Sequence, residues 1–168
     1  MPMRLLDRCG ADSIREFRAA ANLRFNDALA LAASGRRTAA IYLWGYVAEM
    51  SLKAAYFALI GHPETASLSW AVHISPAIAA GRAMGIAWPN SGAGHNVRAW
   101  AEFLVLARAI NPATAYPPDL ALAVQANGQR IGRLWRETLR YHKNFAYRYE
   151  VSQMREATEW MLVNSNNL

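Results

Sequence analysis

The chain has 168 residues, enough for one domain with a sizeable core, and its 54% hydrophobic and 18% charged composition excludes a disordered polymer. The formal charge of +6 rests mainly on arginine, since Lys53 and Lys143 are the only lysines, and arginine suits planar, bidentate contacts to phosphate or carboxylate. Cys9 stands alone, which excludes an internal disulfide and fits a reducing cytosol, and the opening MPMRLLDRCG carries no apolar run of signal-peptide length.

The apolar excess is rich in alanine and poor in Val, Ile and Thr, which favours helix over sheet. A first helix is expected after Asp12, where Ser13 and Glu16 have capping-box spacing. Ile14, Phe17, Ala21, Phe25 or Ala28, and Leu29 form its apolar stripe, and Gly35 ends it. The stretch Thr38 to Ile60, TAAIYLWGYVAEMSLKAAYFALI, follows after a short GRR turn, so the two helices must lie antiparallel. Thr38 is the expected cap of this second helix, and Gly61 with Pro63 its stop. It is apolar on nearly every side and belongs in a core. Tyr42, Tyr46, Glu49 and Lys53 recur through it and no second such segment follows, which argues against a membrane span.

The middle is more broken. Glu64 to His73 has no clear period and reads as a short helix or a loop. Ser75-Pro76 supplies a cap and first position for a short third helix ending near Gly85, and WPNSGAG reads as a loop. Asn96 caps a fourth helix through Trp100, Phe103, Leu104 and Ala107, stopped before Pro112. Pro117-Pro118-Asp119 opens a fifth with Leu120, Leu122, Val124 and Ile131, which Asn127-Gly128 and Gly132 weaken or bend. RYHKNFAYRYE reads as an ordered connection, and Ser152 caps a last helix through Met154, Ala157, Met161 and Leu162. The expected fold is all-α: a single domain over 1–168, an up-down bundle of about five to six helices around a long antiparallel pair, with 1–11 and 165–168 as frayed tails.

Glu49 and Lys53 have the favourable order for an i,i+4 ion pair on the stripe 42-46-49-53. Two readings stay open: an ion pair that seats neighbouring helices, or the polar wall of a nucleotide- or RNA-facing groove. His95 and Asn96 precede a helix whose first turn can bind an anion, although Asn96 also serves as its cap. The four histidines show no ligand spacing, and no phosphate loop or paired-carboxylate motif occurs, so neither metal nor cofactor is implied. The densest cluster runs from Arg130 to Arg148: Arg133, Arg136, Arg140, His142 and Lys143 interleave with Trp135, Tyr141, Phe145, Tyr147 and Tyr149. Basic groups among aromatics are what a single-stranded nucleic acid site uses, charge for phosphates and rings for bases. Within it Arg136 can hold a phosphate and His142 can move protons, with Tyr141 or Lys143 stabilising charge, the minimum for metal-free RNA cleavage.

Three stretches resemble the HEPN (higher eukaryotes and prokaryotes nucleotide-binding) family. AAIYLWGYVAEMSLKAAYFALIG is similar to its second helix, HNVRAWAEFL to a His-Asn/Asp-Leu helix start, and LRYHKNFAYRY to an RY-containing connection. Together they extend over most of the chain from Ala20 to Leu162. The resemblance implies a helical bundle that often dimerises. It further implies either a metal-independent toxin or defence ribonuclease, or a non-catalytic subunit that partners a minimal nucleotidyltransferase or an antitoxin. Ribonuclease members carry Arg-x(4–6)-His, which here Arg136 and His142 match, with Glu137 as the polar residue after the arginine. The combined expectation is a cytoplasmic, homodimeric protein that binds RNA or nucleotide. Its catalytic residues would be Arg136, His142 and Tyr141. Binding would fall to Arg133, Arg140, Lys143, Arg148, Glu49, Lys53 and His95.

Overall fold

Six α-helices and no strand make up the regular structure of the computed structural model, which describes residues 11–90 and 92–168. Ser13 caps the first helix, α1 (Ile14–Ala33), its hydroxyl accepting from the Glu16 amide at 3.2 Å, while the Glu16 carboxylate turns to Arg15. A left-handed Gly35 (φ 80°) closes α1, and Arg36 N–H donates back to the Leu31 carbonyl. The chain then returns as α2 (Arg37–Leu59), as the short link requires.

α2 is the hub. It packs on α1, α4 (Val97–Ala109), α5 (Pro118–Leu134) and α6 (Arg148–Val163), and so buries Trp44, Val47, Leu52 and Phe57 on different faces. Its all-round apolar pattern is thus a consequence of having neighbours on every side. α3 (Ser75–Ala83) sits outside this set, against a π-helical turn at Trp70–Ile74. No helix among the described residues is long and apolar enough to cross a membrane.

Several local expectations are corrected. Thr38 does not cap α2, which begins a residue earlier at Arg37. Its hydroxyl instead accepts from the amides of Phe145 and Ala146 at 2.9 and 3.0 Å, while its own N–H donates to Asn144 Oδ1. Ser75 is not a cap either, because the π turn runs directly into α3 and Ser69 caps that turn. Ser152 lies inside α6, which starts at Arg148 because Glu150 takes the Tyr147 amide at 2.7 Å. α5 is continuous through Gly128: a methyl there would stand 2.4 Å from Ala101 Cβ, so the glycine permits close packing on α4 rather than a bend. Residues 165–168 do not fray, since Leu168 is buried and its carbonyl accepts from Tyr116 and Arg108. The other expected tail lies outside the described residues except for Ala11.

Candidate functional site

The site is built on the polar stripe of α2. Glu49 points inward, and each oxygen has its own partner: Oε1 lies 2.5 Å from Lys53 Nζ and Oε2 2.9 Å from His95 Nδ1. The carboxylate and ammonium are nearly sealed from solvent, at 5% and 9% exposure, whereas the His95 ring is 40% exposed. Lys53 also sits 5.7 Å from the Trp100 ring centroid, a cation–π contact that offsets part of its desolvation. His95 is placed by a 3-10 turn (Ala93–His95) that two indoles fix: Trp88 Nε1 donates to Ala93 O at 2.6 Å and Trp100 Nε1 to Gly94 O at 3.1 Å. The hydrogen bond to Glu49 raises the His95 pKa above its ordinary value, against the opposing effect of burial, so the imidazole holds its proton to higher pH.

Aromatic edges extend this group. The Tyr46 ring meets His95, Trp135 and Tyr42 edge-on at 5.8, 5.2 and 5.0 Å, and burial pushes the Tyr46 phenol well above its usual range. Trp135 lies flat on α2 where Gly45 leaves room: a Cβ at that position would fall 2.1 Å from the indole. Its Nε1 donates to Tyr42 O at 3.0 Å. This anchor fixes the end of α5 and launches the short 3-10 helix Glu137–Tyr141.

That 3-10 helix separates two depressions. On one side a hollow of about 380 Å³ is lined by Gly92, His95, Asn96, Gly132, Trp135 and Arg136, with Glu137 and Thr138 on its wall. On the other, a hollow of about 370 Å³ is lined by Arg36, Tyr42, Arg140, His142, Lys143 and Asn144. Arg136 and His142 therefore line different depressions of the chain, and the candidate catalytic pair is not brought together. Arg136 Nη1 donates to the carbonyls of Gly132 and Trp135. His142 is exposed, 5.8 Å from the Phe145 ring.

Of the remaining candidates, Arg140 lies over the exposed Tyr141 ring at 4.7 Å, and Lys143 faces the second hollow. Arg148 begins α6 between Tyr147 and Tyr149, whose rings stack at 5.8 Å and 10°. Arg133 is exposed in the last turn of α5 and lines neither hollow. Among the described residues, none of Arg36, Arg136, Arg140 and Lys143 forms an ion pair. Arg36 and Asn144 went unmarked by sequence reasoning. Asn144 Nδ2 donates to Gly35 O, completing the bond from Thr38 N–H that clips the connection to the α1–α2 turn. No group of three metal-ligating side chains occurs among the described residues.

No protein-family model matches the chain, and no curated protein or solved structure matches it.

Proposed function

We propose that the protein is HEPN-like and binds single-stranded RNA or nucleotide, as a homodimer, along the Arg130–Arg148 segment. One observation carries this reading. The groove beside the 3-10 helix gathers Arg36, Arg140 and Lys143 without carboxylate partners among the described residues, and exposed Tyr141, Phe145, Tyr147 and Tyr149 lie along the same segment. Unneutralised cations bind phosphates and flat exposed rings accept stacked bases.

Fluorescence anisotropy with a labelled single-stranded RNA tests the reading. Binding should weaken linearly in log–log salt, and Arg140→Ala with Lys143→Ala should lower the slope by about 0.7 per phosphate contact removed. No binding at low salt, or a slope unchanged in the double variant, sinks it. Light scattering on the eluting peak checks the dimer.

Two versions divide on Arg136 and His142. In the ribonuclease version Arg136 holds the scissile phosphate, His142 transfers the proton, and Tyr141 or Lys143 supports the transition state. Because the two residues line separate hollows of one chain, that version requires them to converge across two copies. Their separation favours the second version, a non-catalytic binding subunit for a minimal nucleotidyltransferase or an antitoxin. RNA incubated with the protein in EDTA separates them: cleavage lost in Arg136→Ala and His142→Ala supports the first, and intact RNA supports the second.

A further inference from the structure

We propose that the hollow beside His95 is a ribose-phosphate pocket, which holds a terminal phosphate between the His95 imidazole and the Arg136 guanidinium and a sugar hydroxyl on Glu137. The proposal rests on the reading of the protein as one that binds RNA or nucleotide, and adds which end of the ligand is read. His95 spends Nδ1 on the buried Glu49 and thereby turns Nε2, with no partner among the described residues, away from the core. Arg136 spends Nη1 on the Gly132 and Trp135 carbonyls, which holds the guanidinium at the rim and leaves Nε and Nη2 without protein partners among the described residues. Two pre-positioned cationic donors beside one cavity suit an anion that accepts at several oxygens, as phosphate does.

The third wall selects further. The Glu137 carboxylate sits against Gly92, where a Cβ would stand 2.6 Å from Oε1, and both residues line the hollow. A carboxylate repels a bare phosphate and accepts hydrogen bonds from hydroxyls. Cations on one side and a hydroxyl acceptor on the other describe a phosphorylated sugar. The volume of about 380 Å³ lies at the lower end of what holds a small ligand, which suits one nucleotide unit rather than a longer stretch.

The charged and titratable groups around His95 are Tyr46, Glu49 and Lys53 from α2, Glu137 from the 3-10 helix, and Arg136 on the same hollow. Glu49 is what keeps the imidazole protonated, so phosphate affinity should fall as pH rises through the elevated His95 value.

The free chemistry has two sources, a mononucleotide and the end of an RNA strand. Calorimetric titration uses AMP, adenosine and inorganic phosphate, and anisotropy uses one RNA octamer with either a 5′-phosphate or a 5′-hydroxyl. The expected result is AMP binding at least tenfold tighter than adenosine, with His95→Gln and Arg136→Gln each removing most of that difference. Glutamine keeps a donor for Glu49, and a cooperative thermal transition well above the assay temperature certifies the fold. Glu137→Gln should weaken AMP while inorganic phosphate binds no worse, a pattern that loss of packing would not produce. Tighter binding of the 5′-phosphate octamer than the 5′-hydroxyl octamer assigns the pocket to strand ends, and AMP binding without that preference assigns it to free nucleotides. AMP and adenosine binding alike, or AMP binding untouched in folded His95→Gln and Arg136→Gln, overturns the proposal. If both octamers bind equally and AMP does not bind, the pocket fails while the RNA-binding reading stands. If AMP binds and neither octamer does, the pocket stands and the RNA reading fails.

Discussion

His95 is the residue on which the site's electrostatics turn. Its folded pKa lies above the unfolded value of about 6.5, so its bond to Glu49 stabilises the fold fully below that value. The contribution fades as pH rises through the elevated folded value. Urea unfolding followed across that window should show stability falling with pH in the wild type and a flatter profile in His95→Gln. Lys53→Met probes the same triad from the other side. At alkaline pH, with His95 neutral, it leaves Glu49 buried and unpaired, at a cost of about 3–5 kcal/mol. At pH below the unfolded His95 value the imidazolium still pairs with Glu49, and the cost should shrink. Each member of the triad was readable alone: a lone carboxylate in an apolar helix demands partners, and Lys53 satisfies one oxygen. The second partner was not readable, because the sequence separation of 46 between Glu49 and His95 says nothing of geometry and the turn holding His95 depends on indoles from Trp88 and Trp100.

At the scale of elements, the contact between α2 and the end of α5 positions both hollows. Gly45, a residue type that ordinarily weakens a helix, is the seat of Trp135. Gly45→Ala should therefore destabilise the fold by about 1–3 kcal/mol, measured from the urea midpoint, although alanine is the better helix former. RNA affinity should drop with it, since the Trp135 anchor carries Arg136 and the 3-10 helix. Helix existence and order followed from apolar periodicity and from caps such as Ser13 and Asn96. The start at Arg37 did not, because Asn144, distant in sequence, takes the Thr38 amide there, and the start at Arg148 did not, because Glu150 reaches back to a Tyr147 amide that no usual capping residue marks. The candidate pair Arg136–His142 lines two hollows instead of one, because both residues are extended and flank the 3-10 segment rather than sharing a face of one helix.

Across the whole molecule, one hydrophobic cluster runs from Ile14 in α1 to Leu168 and includes Trp44, Trp100 and Trp135. Composition alone announced such a core, and α2 was recognisable as its axis because no other stretch is apolar all round. The role of the chain's last residue was not recognisable. NSNNL reads as a fading end, yet Tyr116 and Arg108 hold the Leu168 carbonyl, closing the bundle far from both hollows. The charged and exposed aromatic groups of the Arg140–Tyr149 segment thus gather on the surface where α2 begins, and the packing of the other described residues leaves that face uncovered.

Thr38 gives this surface a clock. The amides of Phe145 and Ala146 lie outside any helix, where solvent exchange is ordinarily fast, yet both end on the Thr38 hydroxyl. Their hydrogen–deuterium exchange should be markedly slower than that of neighbouring loop amides, and Thr38→Val should return it to loop-like rates while the amides of α2 stay protected. The slowing reports how long the Arg140–Tyr149 segment stays docked between openings, a lifetime any ligand gripping that segment would lengthen.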